Sequence, residues 1–279
     1  MRRYLKRAVF YAFIGGLLLM TGCGGTTGSE ESKASENSAE ETTSTTAAET
    51  TAPPVTSAEP VVTSFKAPEE YGKVIALTFD DGPDALSTNM ILDVFEENNA
   101  RASFFLIGNN ITESNADTVR REVELGCEVN SHSLTHSYMN RMTAEEIISE
   151  MEETDAKIEA ITAVTPRFFR PPFIAVNDTM FENIDKPFIN GLGSNDWDNN
   201  VSADQIAERV LAQAEDGAII LLHDGNSNFR TAEAIKTIVP ELQAQGYELV
   251  TVSELFHAKG VEPQEDNILY SRAEQTSMY

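Results

Sequence analysis

"VIALTFDDGPD", Val74 to Asp84, is an apolar run of strand length that stops at two adjacent carboxylates, Asp80 and Asp81, and then meets Gly82-Pro83. Neighbouring residues of a strand point to opposite faces, so the two acids should not be equivalent. Taken alone, the pair is either a solvated turn that ends a strand or a place where chemistry is done.

Outward from this stretch the texture repeats. "VIALTF" is followed by "TNMILDVFEENN", "ASFFLIG" by "ADTVRREVELG", and "CEVNSH" by "TAEEIISEMEETDAKIEAI". The last of these opens with a capping box, Thr143 with Glu146 three residues on. "RFFRPPF", a short helix near Asp178, "FINGL" and "SADQIAERVLAQAEDG" come next, and "AIILLH", "TAEAIKTIVPELQAQG" and "YELVTV" close the series. Strand–helix alternation over about 190 residues predicts a mostly parallel α/β sheet, either a barrel or a doubly wound sheet. No glycine-rich phosphate loop follows the first strand, and no internal repeat is evident. Residues 67–260 therefore read as one domain and 261–279 as a polar tail in which "NILY" could dock.

The N-terminal part reads differently. Arg2, Arg3, Lys6 and Arg7 precede the short apolar run "AVFYAFIGGLLLMTG", which is the pattern of an export signal. "LMTGC" resembles the lipobox of bacterial lipoproteins, which implies a signal peptide over 1–22 and lipidation of Cys23. Residues 23–66 are rich in Ser, Thr, Ala, Glu and Pro and are expected to be a disordered linker. Such a coil has a mean reach of roughly 35–40 Å, enough to hold a domain away from a membrane. The expected location is the bacterial cell membrane, facing outside the cytoplasm. With Cys23 lipidated, Cys127 has no disulfide partner and reads as a small core residue.

The formal charge is −25, of which residues 71–279 carry −22. Such a surface argues against nucleic acid or anionic lipid as main partner, leaving the lipid as the sole membrane attachment. It suits a neutral glycan, or one that becomes cationic as it is processed.

The unusual polar groups stand at the carboxyl ends of the apolar runs: Asp80 and Asp81, His132, Arg170, Asp196 with Trp197, and His223. In parallel α/β folds these ends share one face, where active sites are built. In "HSLTH", His132 and His136 are four apart and would face one side of a helix turn. Ser133 stands where the zincin pattern needs Glu, so no water-activating glutamate lies in this motif. Alone, the pair is either a metal site or a polar surface pair. Two imidazoles with one carboxylate from the first strand would make a facial metal site with open positions. The remaining histidine, His257, reads as structural.

"TFDDGP", "HSLTH", "RPPF", "NDW" and "LLH", in this order, resemble the five motifs of the polysaccharide deacetylases, carbohydrate esterase family 4, over about Val74 to Phe256. The resemblance implies a distorted, TIM-like (β/α) barrel of seven strands. It implies a divalent metal, zinc in the first place, although the same ligands accept cobalt, nickel or manganese. It further implies hydrolysis of acetyl groups from acetylated polysaccharide, in the first place the N-acetyl of GlcNAc in peptidoglycan, chitin-like or exopolysaccharide glycan, with MurNAc and the O-acetyl esters of acetylated xylan left open; a monomer is expected. Carried over by position, Asp81, His132 and His136 hold the metal and Asp80 is the general base, paired with Arg170. The N–H of Phe173 helps stabilise the oxyanion. Asp196 orients His223, the general acid, and Pro171, Trp197 and Leu221 shape the pocket.

Departures from the motifs are Phe173 and Ile174 in place of Tyr and Gly, Gly193 in place of Asp, Asn190 in place of Trp and Cys127 in place of His. They bear on substrate preference more than on catalysis. A non-catalytic glycan- or metal-binding surface lipoprotein is the alternative, against which the paired base and acid count. A solute-binding lipoprotein would need two lobes, which the single strand–helix series does not suggest.

Overall fold

The computed structural model describes residues 65–278 apart from Asp266. The export signal, Cys23 and all but the end of the linker lie outside the described residues. Among the described residues, no helix is long and apolar enough to cross a membrane.

The fold is organised around β1 (Lys73–Gly82), the apolar run of the opening stretch. Its neighbours β2 (Ser103–Leu106) and β6 (Ala218–His223) pair with it in parallel along its length. β3 (Glu128–Ser131) continues the sheet beyond β2, and β5 (Leu192–Gly193) beyond β6. β7 (Tyr247–Leu249) pairs with the first residues of β1. On the other side β4 (Phe188–Ile189) pairs with β8 (Leu269–Tyr270).

Single residues complete the circuit. Phe169 bridges Ser131 at the end of β3 to Phe188 in β4, and Arg272, just past β8, bridges Ala218 at the start of β6. The sheet thus closes into a distorted barrel whose far wall is held by isolated bridges instead of full ladders. Eight strands are formed among the described residues, against the seven expected. The segment read as a polar tail supplies the eighth: Leu269, Tyr270 and Ala273 are buried there.

The helices are α1 (Ser87–Glu97), α2 (Ala116–Glu124), α3 (Ala144–Thr162), α4 (Asp178–Asn183), α5 (Ala203–Ala212), α6 (Phe229–Ala244) and α7 (Val252–Ala258). The predicted capping box opens α3: Thr143 N–H donates to Glu146 Oε2 at 2.8 Å, and Glu146 N–H to Thr143 Oγ1 at 3.3 Å. Ser202 with Gln205 and Thr251 with Glu254 do the same for α5 and α7.

Alternation along β1 sorts the core into two layers. Ile75, Leu77 and Phe79 face the helices, where Phe79 stacks on Phe104 at 5.2 Å and meets Phe95 of α1 edge-on at 5.9 Å. Val74 and Ala76 point into the barrel with Phe105, Phe168 and Ile219. Each large side chain sealed this way stabilises the fold by about 1.5–3 kcal/mol. Cys127 is buried at the start of β3, and burial pushes its thiol up to about 12, as suits a core residue.

Candidate active site

The barrel-facing phase of β1 runs Val74, Ala76, Thr78, Asp80, so Asp80 is the last inward side chain of the strand. It lies opposite Phe105 of β2 and His223 of β6. The ladder then jumps to Gly82 opposite Leu106, leaving Asp81 as a bulge with φ of 74°. This bulge, one residue before Gly82-Pro83, brings the second acid to the same mouth. Glycine is required where loops interlock. A Cβ on Gly82 would lie 2.6 Å from Asp224 Oδ2, and one on Gly225 would lie 2.3 Å from the Asp81 carbonyl oxygen.

Arg170 follows Phe169 and is fully buried under the mouth. Its Nη1 donates to Asp80 Oδ1 at 2.5 Å, its Nη2 to Thr78 Oγ1 at 2.8 Å, and its Cζ lies 4.2 Å from the centre of the Phe105 ring. Burial lowers its pKa, which the charge of Asp80 opposes. With Asp80 only 2% exposed, each group is the other's compensation.

His132 leaves β3 and donates from Nδ1 to the Arg170 carbonyl oxygen at 2.7 Å, because a carbonyl can only accept. Its Nε2 is thereby left bare, 3.5 Å from Asp81 Oδ1, while His136 Nε2 is 3.3 Å from the same oxygen. Residues 132–136 do not form the expected helix turn. They make an irregular loop with Ser133 and His136 in left-handed backbone, at φ of 67° and 56°. Glu150 of α3 pins it, accepting from Leu134 N–H (2.8 Å), Thr135 N–H (2.9 Å) and Thr135 Oγ1 (2.7 Å). Sequence reading missed Glu150, though an acid in the buried stripe Ile147, Glu150, Met151, Thr154 was a visible signal.

Among the described residues, Asp81, His132 and His136 form a cluster whose ligand atoms all lie within 4.8 Å of one another, and Asp81 Oδ1 is buried with no hydrogen-bond partner there. A carboxylate oxygen left bare between two imidazole nitrogens suits a divalent cation. Burial pushes the Asp81 carboxyl up, but the imidazoles of His132, His223 and His136 outweigh it and hold it at about 2.

On the opposite side His223 ends β6. Its Nδ1 lies 2.9 Å from Asp196 Oδ1, and its backbone N–H donates to Asp196 Oδ2 at 2.7 Å. Burial pulls the imidazole down, but Asp196, then Asp80 and Asp81, raise it to about 9. A cleft of about 370 Å³ opens here, lined by Asp81, Trp197, His223, Phe229 and Arg230 among others. Trp197 is 65% exposed at its edge. Phe173 stands beside the metal-type cluster, edge-on to His136 at 4.6 Å and stacked on Tyr138 at 4.1 Å. Phe173 and Ile174 are both left-handed, at φ of 58° and 54°. Pro171 and Leu221 are buried, and Leu221 lies opposite Thr78 of β1. The motif residues therefore converge on one end of the barrel.

A parallel α/β barrel that gathers a three-ligand cluster, a carboxylate–guanidinium pair and a carboxylate–imidazole pair at the carboxyl ends of its strands has the build of a hydrolase. Residues 67–186 match the family model for polysaccharide deacetylase. A bifunctional xylanase/deacetylase of Pseudobutyrivibrio xylanivorans is 47% identical over 199 residues, 71% of this chain and 33% of that protein. The peptidoglycan-N-acetylglucosamine deacetylase PgdA of Listeria monocytogenes is 37% identical over 202 residues, 71% of this chain and 42% of that protein. The chain thus spans less than half the length of these curated relatives. A solved family 4 acetyl xylan esterase from Clostridium thermocellum, in complex with a cobalt ion, has a TM-score of 0.71 at 39% identity, covering 73% of this chain and 100% of that one. The chain belongs to the polysaccharide deacetylase family.

Proposed function

We propose that this protein is a metal-dependent hydrolase that removes acetyl groups from a polysaccharide. The observation that carries the reading is the convergence of Asp81, His132 and His136 between the Asp80–Arg170 and Asp196–His223 pairs. A divalent cation on the three ligands, zinc in the first place, supplies polarisation of the acetyl carbonyl and a more acidic water.

The chain's own groups do the rest. Arg170 pairs with Asp80 and keeps it aimed at the mouth, so Asp80 can take a proton from the attacking water. The backbone N–H of Phe173 donates to the oxygen that gains charge. Asp196 holds His223 Nδ1, which leaves Nε2 to carry a proton to the departing sugar oxygen or nitrogen.

We put O-acetyl groups of xylan first, ahead of the GlcNAc expectation, with the higher identity to the xylanase-linked relative as support. The match to PgdA keeps the N-acetyl group of GlcNAc as a second reading. Acetate release from residues 65–279 with acetylated xylan, and with acetylated chito-oligosaccharide and peptidoglycan, tests both. Acetate from xylan alone supports the first, and acetate from the amino-sugar polymers alone the second. Polymer binding with no acetate released, in the presence of added zinc or cobalt, would establish the non-catalytic alternative instead. We further propose that the chain is an exported lipoprotein acylated at Cys23. Labelled palmitate should enter the full chain and not Cys23→Ala.

A further inference from the structure

Thr231 is fully buried on the first turn of α6, and its hydroxyl donates to Asp196 Oδ2 at 2.7 Å. Asn228, the N-cap of the same helix, reaches the Asp196 carbonyl oxygen at 3.3 Å and Oδ2 at 3.5 Å. Arg230 adds a contact to that carbonyl at 3.3 Å. The start of α6 is therefore clamped onto the loop that carries Asp196.

Thr231 is the third residue of α6, so the residue four back, Ser227, lies before the N-cap Asn228 and offers no helical carbonyl to its hydroxyl. Thr154 and Thr162 of α3 bond the carbonyl four residues back, at 2.7 and 2.9 Å, as helical threonines commonly do. Thr231 instead spans 35 positions to reach a carboxylate. The terminal torsion of an aspartate is broad, and the two donors His223 itself offers, Nδ1 to Oδ1 and the backbone N–H to Oδ2, move with His223, so an anchor from another element is what holds the carboxylate against the fold. Two short donors on Oδ2, the His223 N–H and the Thr231 hydroxyl, fix that torsion and keep Oδ1 facing Nδ1.

We propose that Thr231 is a positioning residue for proton delivery: it locks the Asp196 carboxylate, which in turn keeps His223 Nε2 turned to the leaving group. The inference rests on His223 being the acid of the proposed reaction. In that step water adds its oxygen to the acetyl carbon and gives a proton to Asp80. The acyl bond to the sugar then breaks, the departing atom takes the proton from His223 Nε2, and acetate is released.

The test compares leaving groups. Thr231→Val keeps the shape and removes the donor. On acetylated xylan, whose alkoxide must be protonated as it leaves, kcat should fall on the order of tenfold, less than the 10²–10⁴ expected from losing the positioned acid itself, with KM unchanged. On 4-nitrophenyl acetate, whose nitrophenolate leaves without a proton, kcat should change by less than about twofold. Thr231→Ser should restore the polymer rate, and bound metal should match wild type in every variant. Equal losses on the two substrates, or no loss on xylan, would overturn the role. If the valine variant does not fold, Thr231→Ala is read by the same ratio. A wild-type chain inactive on every polymer would instead overturn the functional reading, and this role with it.

Discussion

Asp80 at the barrel mouth and Glu122 on the inner side of α2 are both carboxylates sealed from water, 2% and 0% exposed. Asp80 meets the Arg170 guanidinium at 2.5 Å, whereas neither oxygen of Glu122 has a hydrogen-bond partner among the described residues. Burial, with the charge of Asp224 added, pushes the Glu122 carboxyl well above its ordinary range, so it is held as a neutral acid. A buried acid stays charged only where the fold supplies the opposing charge. At the mouth Arg170 supplies it for Asp80. Under α2 it is missing, and Glu122 is tolerated at a cost in stability.

The sharpest way to break the comparison is to remove the charge at the mouth. Asp80→Asn keeps the shape and the contact with Arg170 but abolishes the base. Acetate release should fall by about 10²–10⁴ with bound metal little changed, while the thermal midpoint drops because the buried Arg170 charge loses its partner. A variant with near wild-type turnover would remove Asp80 from the mechanism. Next in size is Arg170→Met, which leaves Asp80 buried beside no cation. Unfolding in denaturant should show a loss of about 3–5 kcal/mol. The double variant Asp80→Asn with Arg170→Met should recover part of this, because no lone charge then remains. If the double loses as much as the two singles together, the pair is not mutually compensating.

Much of this mouth was legible in the sequence. The apolar run before Asp80, the placement of Arg170 and His223 after other runs, and the capping box at Thr143 are local signals. Each survives folding because strand ends of a parallel sheet share a face. What was not legible depends on long-range closure. The bulge at Asp81 exists because β1 and β2 fall out of register there, which no residue before Gly82 announces. The loop at 132–136 is held by Glu150, fourteen residues after His136 and on another element, so helical spacing was misleading. "NILY" was legible as a stretch that could dock, but not that Leu269 and Tyr270 would pair as a strand with one as short as β4. Thr231 looks like any threonine in a helical pattern until α6 is docked on Asp196.

The smallest expected effect concerns the other side of the comparison. Glu122→Leu, in the buried stripe of α2 with Ala116 and Val119, should stabilise the chain by about 1–3 kcal/mol at neutral pH, since an unbonded polar group is replaced by an apolar one. The pH dependence gives the sign. With the native pKa raised above the ordinary value of 4.5, the unfolded chain releases this proton first as pH rises. Between these two values the unfolded state binds fewer protons, so the wild type loses stability as pH increases. Below 4.5 both states are protonated and the loss disappears. The advantage of Glu122→Leu should therefore be small near about pH 4 and grow toward about pH 8. Asp81 acts in the opposite sense and in a lower window. Its carboxyl, held at about 2 against an ordinary 3.8, contributes stability that is lost only as pH falls through that range. Denaturant midpoints of wild type and variant across this pH span separate the two. An advantage that is constant with pH would mean Glu122 is ionised in the folded chain, and that a buried acid here needs no counter-charge after all.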